Sequence, residues 1–190
     1  MTSRLVIMGP QGSGKGTQAE RLAEHFSIPP ISTGDIFRTN IADGTELGHL
    51  AQQYTARGEL VPDEVTDAMV AGRLSQPDAA DGFILDGYPR NAAQVDALDK
   101  ILADIGVELD AVVQLTADRG ELMARMRKRA EIEGRADDTE DVIARRLDIY
   151  EAETAPLAAA YADRGLLVSV DGIGEIDEIT ERVLAALRAR

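Results

Sequence analysis

The segment LVIMGPQGSGKGTQAERLAEHF, residues 5–26, leaves few folds open to this chain. An apolar run stops at a glycine-rich turn, and the turn opens onto a stretch in which Ala19, Leu22, Ala23 and Phe26 recur at helical spacing. That is strand, loop and helix. In such a junction successive backbone N–H groups and the positive end of the helix converge on one point, an arrangement that suits a phosphate. The loop itself, GPQGSGKGT (residues 9–17), approaches the phosphate-binding pattern G-x-x-x-x-G-K-[ST]. It departs from the pattern after Lys15: the residue there is Gly16, and the hydroxyl expected to meet Mg²⁺ is deferred to Thr17.

Further apolar runs, FIL (83–85), AVVQL (111–115) and LLVSV (166–170), alternate with segments of helical periodicity. The alternation predicts an α/β fold, a parallel sheet covered by helices on both faces. Helices are predicted over residues 91–103, 119–130, 139–163 and 176–188, the third kinked or split by Pro156. Two segments interrupt the alternation. Residues 30–62 hold two short helical patterns and several glycines, and RAEIEGRADDT, residues 129–139, is polar around Gly134. Both read as mobile appendages on a rigid sheet, because few buried contacts would fasten them.

A chain of 190 residues, 44% hydrophobic, suits one domain. No stretch approaches the roughly 20 apolar residues of a membrane span, and the N-terminal run is too short for a signal peptide, so a cytoplasmic protein without a membrane partner is expected. Cysteine is absent and the histidines are only His25 and His49, so no zinc site is readable. The net charge of −14 argues against a nucleic-acid partner. Yet Arg125, Arg127, Lys128, Arg129, Arg135, Arg145 and Arg146 crowd into one region. A local cationic patch on an anionic chain points to a small polyanion as its target.

Several stretches together resemble the adenylate kinases, a family of nucleoside monophosphate kinases. They are GPQGSGKGT, ISTGDIFR (31–38), GELVPDEV (58–65), GFILDGYPRNAAQ (82–94), GRADDTEDVIARRL (134–147) and VDGIG (170–174), in family order over nearly the whole chain. These kinases carry glycine after the lysine, so Gly16 is part of the likeness. The resemblance implies a P-loop three-layer sandwich over residues 1–190 with a five-stranded parallel sheet, plus a mobile AMP-binding insertion at 32–61 and a short lid at 129–139. It implies AMP contacts from Thr33, Arg38, Glu59, Leu60, Val61, Gly87, Tyr88, Pro89, Arg90 and Gln94. ATP contacts are implied for Gly12, Ser13, Gly14, Lys15, Gly16, Thr17, Arg129 and Gly174, with Arg135 and Arg146 facing the phosphates of both nucleotides. A monomer is implied, whose reaction is ATP + AMP = 2 ADP, and the lid resembles the short type rather than the zinc-binding or hydrogen-bonded hairpin of longer members.

Such a transfer needs attacking and leaving oxygens in line and negative charge stabilised between them. The acceptor oxygen of a phosphate is already ionised near neutral pH, so a dedicated base is dispensable. Arginine forks suit the task because they hold phosphate oxygens in two directions and stay charged. Lys15, Arg90, Arg129, Arg135 and Arg146 are the expected catalytic cations, and Asp86, at the end of the FILD strand, is the expected Mg²⁺ holder, through water. Arg125, four residues before Arg129 on one helical face, is a further candidate phosphate contact, while Arg127, Lys128 and Arg145 read as a solvated helix face. Asp137 and Asp138 would steady the lid arginine or cap the following helix. Thr33 and Gln94 could read an adenine edge, and Thr33 could equally cap a helix over residues 34–41. A kinase for UMP or CMP stays open as an alternative; a GTP switch would want an N-K-x-D tetrapeptide, which the sequence lacks.

Overall fold

Strands β1 (Ser3–Met8), β2 (Pro30–Ser32), β3 (Gly82–Asp86), β4 (Ala111–Thr116) and β5 (Leu167–Asp171) form one parallel sheet in the order β2-β3-β1-β4-β5. The computed structural model describes residues 3–134 and 139–190. Successive residues of a strand point to opposite faces, and β1 divides accordingly. Leu5 and Ile7 join Leu22 and Ala23 of α1 (Lys15–Phe26) and Val183 and Leu184 of α9 (Ile176–Arg188). Val6 and Met8 face the other way, toward Val70 of α4 (Asp63–Leu74), Leu98 of α5 (Ala92–Asp104) and Tyr161 of α8 (Leu157–Asp163). Each large side chain buried in these layers contributes roughly 1.5–3 kcal/mol.

This layering positions the site. β1 and β3 are neighbours, with Ile7 beside Asp86 in register. The helix that follows β1 packs on one face of the sheet and the helix after β3 on the other. The two connecting loops therefore diverge and leave a crevice between them at the carboxyl ends of the strands, where open α/β sheets take their ligands.

Two helical pairs stand on small cores of their own. Helices α2 (Thr33–Ala42) and α3 (Glu46–Thr55) enclose Phe37 and Ala51 with Val61 beyond. They cross so closely that a β-carbon on Gly48 would lie 2.0 Å from the carbonyl oxygen of Asn40. Helices α6 (Arg119–Glu133) and α7 (Glu140–Ile149) share Leu122, Met126, Ile143 and Leu147.

The structure departs locally from the periodicity reading. β2 and α4 were not among the elements it predicts, and α6 continues to Glu133, so the start of the polar appendage is helical. The helix expected over 139–163 is split, as Pro156 demands, but the disturbance begins earlier. A π-helical turn spans Tyr150–Thr154, closed by Ala155 N–H donating to the Tyr150 carbonyl at 2.8 Å. Pro156 has no N–H to continue the ladder, and the widened turn takes up the mismatch. Among the described residues no helix is long and apolar enough to cross a membrane.

Candidate active site

The crevice is a cleft of about 980 Å³. That is near the upper end of the ~300–1,000 Å³ usual for small-molecule sites. One wall is the glycine loop. Gly12 and Gly14 adopt φ of 82° and 87°, a region unfavourable to L side chains. Helix α1 starts at Lys15 without a side-chain cap, which leaves its leading N–H groups, and the positive end of its dipole, to a ligand.

Cations line the same cleft. Lys15, Arg38, Arg90, Arg129 and Arg146 all line the cleft, brought there by α1, α2, the loop after β3, α6 and α7. Burial pushes the Lys15 ammonium down to about 8; Asp86 opposes the shift, while the fields of Arg90, Arg129 and Arg38 add to it. Burial likewise lowers Arg90, again against Asp86 and with Arg146 and Arg38 adding to the effect. Like charges held this close in a partly desolvated cleft form a receptor for a polyanion, whose entry relieves their repulsion.

Asp86 is the counter-charge. It ends β3 with 8% exposure, and its Oδ1 is buried without a hydrogen-bond partner among the described residues. An orphaned carboxylate oxygen beside a phosphate loop fits a Mg²⁺ that arrives with a nucleotide and keeps its own water. The described residues hold no cluster of three or more metal-ligating side chains. Asp86 thus stands outside any such cluster among the described residues, in keeping with the way Mg²⁺ binds through phosphates and water.

The opposite wall is built by α2, α5 and the loop after β3. Thr33 opens α2 but does not cap it: Ser32 accepts from Asp35 N–H at 3.2 Å, while the Thr33 hydroxyl donates to the Gly87 carbonyl at 3.1 Å. The capping alternative for Thr33 thus passes to its neighbour. Arg90 is fixed by Nε donating to the Gly87 carbonyl at 2.7 Å, and its own carbonyl accepts from Thr154 Oγ1 at 2.6 Å. Tyr88, joined to its neighbour Pro89 by a cis peptide, donates its hydroxyl to Asp67 at 2.7 Å; burial drives that hydroxyl far above its usual pKa. Arg38 pairs with Asp35. Glu59, Leu60 and Val61 border the cleft, and Glu59 accepts from Arg57 and Arg145 at 2.9 and 2.7 Å.

Of the other expected contacts, Gly12, Gly14, Gly16, Thr17, Gly87, Tyr88, Pro89 and Gln94 also line the cleft. Ser13 and Gly174 do not lie in its lining. Ser13 is fully buried with its N–H given to the Pro10 carbonyl at 3.1 Å, and the β-carbon position of Gly174 faces Arg182 and Glu178 at 3.1 Å each. Arg135, Asp137 and Asp138 lie outside the described residues. Arg125 borders the cleft, but its guanidinium is a brace: Nη1 donates to the carbonyls of Gly12 and Gly172, at 3.4 and 3.1 Å, and Nε to Glu121 at 2.7 Å. Sequence reasoning missed Asp63, Asn91 and Thr154, which touch the Gln94–Arg90 corner; Asp63 and Asn91 lie within the GELVPDEV and GFILDGYPRNAAQ stretches, whereas Thr154 carried no signal.

The adenylate kinase family profile matches residues 7–166. An adenylate kinase of Bifidobacterium longum is 61% identical over 184 residues, covering 97% of this chain and 99% of its own. One from Kocuria rhizophila is 58% identical over 185 residues, covering 97% and 98%, and one from Thermobifida fusca is 54% identical over 187 residues, covering 98% and 99%.

Proposed function

The chain belongs to the adenylate kinase family, and on that premise we propose how its cleft carries out the phosphotransfer ATP + AMP = 2 ADP. The observation that carries the reading is that Lys15, Arg38, Arg90, Arg129 and Arg146 line one cleft with the uncapped start of α1, with Asp86 the buried carboxylate among them. ATP lays its phosphates on Gly12–Thr17, where backbone N–H groups and Lys15 face the β- and γ-phosphates. AMP lies across the cleft, its phosphate clamped by Arg38 and Arg90 and its base toward Thr33 and Gln94. Arg146, Arg129 and Arg135 bridge the transferring group. Ser13 lends the loop its buried turn, and Gly174 sits at the edge of the ATP side.

An ionised oxygen of the AMP phosphate attacks the γ-phosphorus of ATP. The bond from that phosphorus to the β,γ-bridging oxygen breaks, and the bridging oxygen leaves as the terminal oxygen of ADP, so no proton need be removed from the nucleophile. Mg²⁺ accompanies ATP and neutralises charge on its phosphates; Asp86 would hold it through water. Arginines act here as preorganised charge, stabilising negative oxygens without having to reorient. Water must be kept out, since it competes as the nucleophile. We assign that exclusion to residues 129–139 acting as a lid, and AMP capture to residues 32–61, which carry a small core of their own around Phe37, Ala51 and Val61. A monomeric cytoplasmic enzyme completes the proposal.

Measuring ADP formation from ATP with AMP, UMP or CMP as acceptor tests the reading. AMP should be preferred by orders of magnitude, and Arg90→Ala or Arg146→Ala should lower kcat by about 10²–10³. Equal use of UMP would reassign the acceptor. Unchanged turnover in both arginine variants would remove the proposed chemistry.

A further inference from the structure

Gln94 is held so that its side-chain amide can face in one direction only. Its Oε1 accepts from the backbone N–H of Arg90 at 2.7 Å, and its Nε2 donates to Asp63 Oδ1 at 2.9 Å. A backbone N–H can only donate and a carboxylate can only accept. Turning the amide over would set N–H against N–H and oxygen against oxygen, leaving buried polar groups unpaired. Asp63 is fixed in its turn. The same Oδ1 accepts from Asn91 Nδ2 at 3.0 Å, and Asn91 Oδ1 caps α5 by accepting from Gln94 N–H at 2.9 Å. Gln94 lies in the cleft wall with 2% exposure, so solvent has little access to relieve a misoriented amide.

These bonds leave one lone pair on Oε1 and one hydrogen on Nε2. An amide with both groups open can read either purine. Adenine offers a donor at its 6-amino group and an acceptor at N1, whereas guanine offers an acceptor at O6 and a donor at N1–H. For a base seated in one pose, the two need opposite directions of the same amide. We propose that Asp63 is a specificity-determining positioning residue: by fixing the direction of the Gln94 amide, it makes the acceptor site accept adenine and refuse guanine. Asp63 touches no substrate in this account and acts through Gln94. The inference rests on the reading that Gln94 faces the acceptor base.

The test compares AMP and GMP as acceptors, with ATP as donor, in the full-length protein. Asp63→Asn replaces an obligate acceptor by a group that can accept or donate, so only the Arg90 N–H, and no longer residue 63, opposes turning of the Gln94 amide. The preference for AMP over GMP, taken as the ratio of kcat/KM, should fall about tenfold, through a higher KM for AMP and a gain for GMP, while KM for ATP stays within about twofold. Asp63→Glu, an obligate acceptor still, should retain most of the preference. A site merely loosened would lose kcat/KM for both acceptors and keep the ratio, and that result would overturn the inference. Gln94→Ala separates the two layers. If it leaves KM for AMP unchanged, the placement of the base at Gln94 falls and the inference with it. If it raises that KM while Asp63→Asn keeps the parental ratio, the inference alone falls. Circular dichroism checks folding; should Asp63→Asn not fold, Asp63→Ser, whose hydroxyl also donates or accepts, takes its place with the same outcomes.

Discussion

The Oδ2 of Asp86 stands 3.7 Å from the position a β-carbon would take on Gly16. That is ordinary van der Waals contact, so the protein's own packing tolerates a methyl group at this place. In the proposed binding mode the missing side chain serves the ligand, which approaches the N–H groups at the start of α1. Gly16→Ala should therefore raise stability, by up to about 1 kcal/mol from helix propensity, while lowering kcat/KM for ATP. Thermal melts and steady-state kinetics read the two effects in opposite directions. A variant that lost stability would place the need for glycine in the fold instead.

With Lys15 facing the phosphates as proposed, ATP affinity should depend on pH. Burial holds the lysine down to about 8, with Asp86 opposing and Arg90, Arg129 and Arg38 adding. Bound phosphate favours the charged ammonium and raises its pKa. Binding then takes up a proton above pH 8, so ATP affinity should be level below that point and about tenfold weaker at pH 9 than at pH 7. Calorimetry across this range checks it, and Lys15→Arg, charged throughout, should flatten the profile. The folding sign is opposite: the unfolded lysine keeps its proton up to its ordinary 10.5. The unfolded chain therefore binds more protons between about 8 and 10.5, and this group makes the folded protein more stable as pH rises through that window.

Arg90 is positioned from a distance in sequence. Thr154, in the π turn, donates to its carbonyl at 2.6 Å. Thr154→Val keeps the shape and removes the donor. It should cost about 1–3 kcal/mol in denaturant unfolding and lower kcat less than Arg90→Ala does. An unfolding midpoint equal to the parent's would show that this bond carries no weight.

Arg125 ties the glycine loop to the loop after β5 through the carbonyls of Gly12 and Gly172. Lysine cannot span both carbonyls and Glu121 with one planar fork. Arg125→Lys should therefore destabilise the nucleotide-free protein by about 1–3 kcal/mol, measured by chemical denaturation. A loss of ATP affinity with no loss of stability would instead make Arg125 a direct phosphate contact, as its spacing from Arg129 first suggested.

The sheet and the glycine loop were legible because their signals are local: an apolar run, a turn, an amphipathic stretch. β2 was illegible from periodicity since Pro30–Ser32 is three residues long, too short to show a period, and takes its place from pairing with β3. The split at Pro156 was legible, but not its origin at Tyr150, because a π turn leaves no mark in residue types. The family resemblance pointed to Gln94 and Arg90, which border the cleft, yet the groups that hold them, Asp63 and Thr154, lie 31 and 64 residues away. Such contacts exist only once the chain is folded.

Calorimetric titration with two adenosines joined by five phosphates asks whether two nucleotide places meet at one line of cations. One molecule should bind per chain, far tighter than ATP or AMP alone, competing with both, and weakened in Arg90→Ala and Arg146→Ala. Binding that displaces ATP but leaves AMP in place, or that is no tighter than ATP itself, would contradict it.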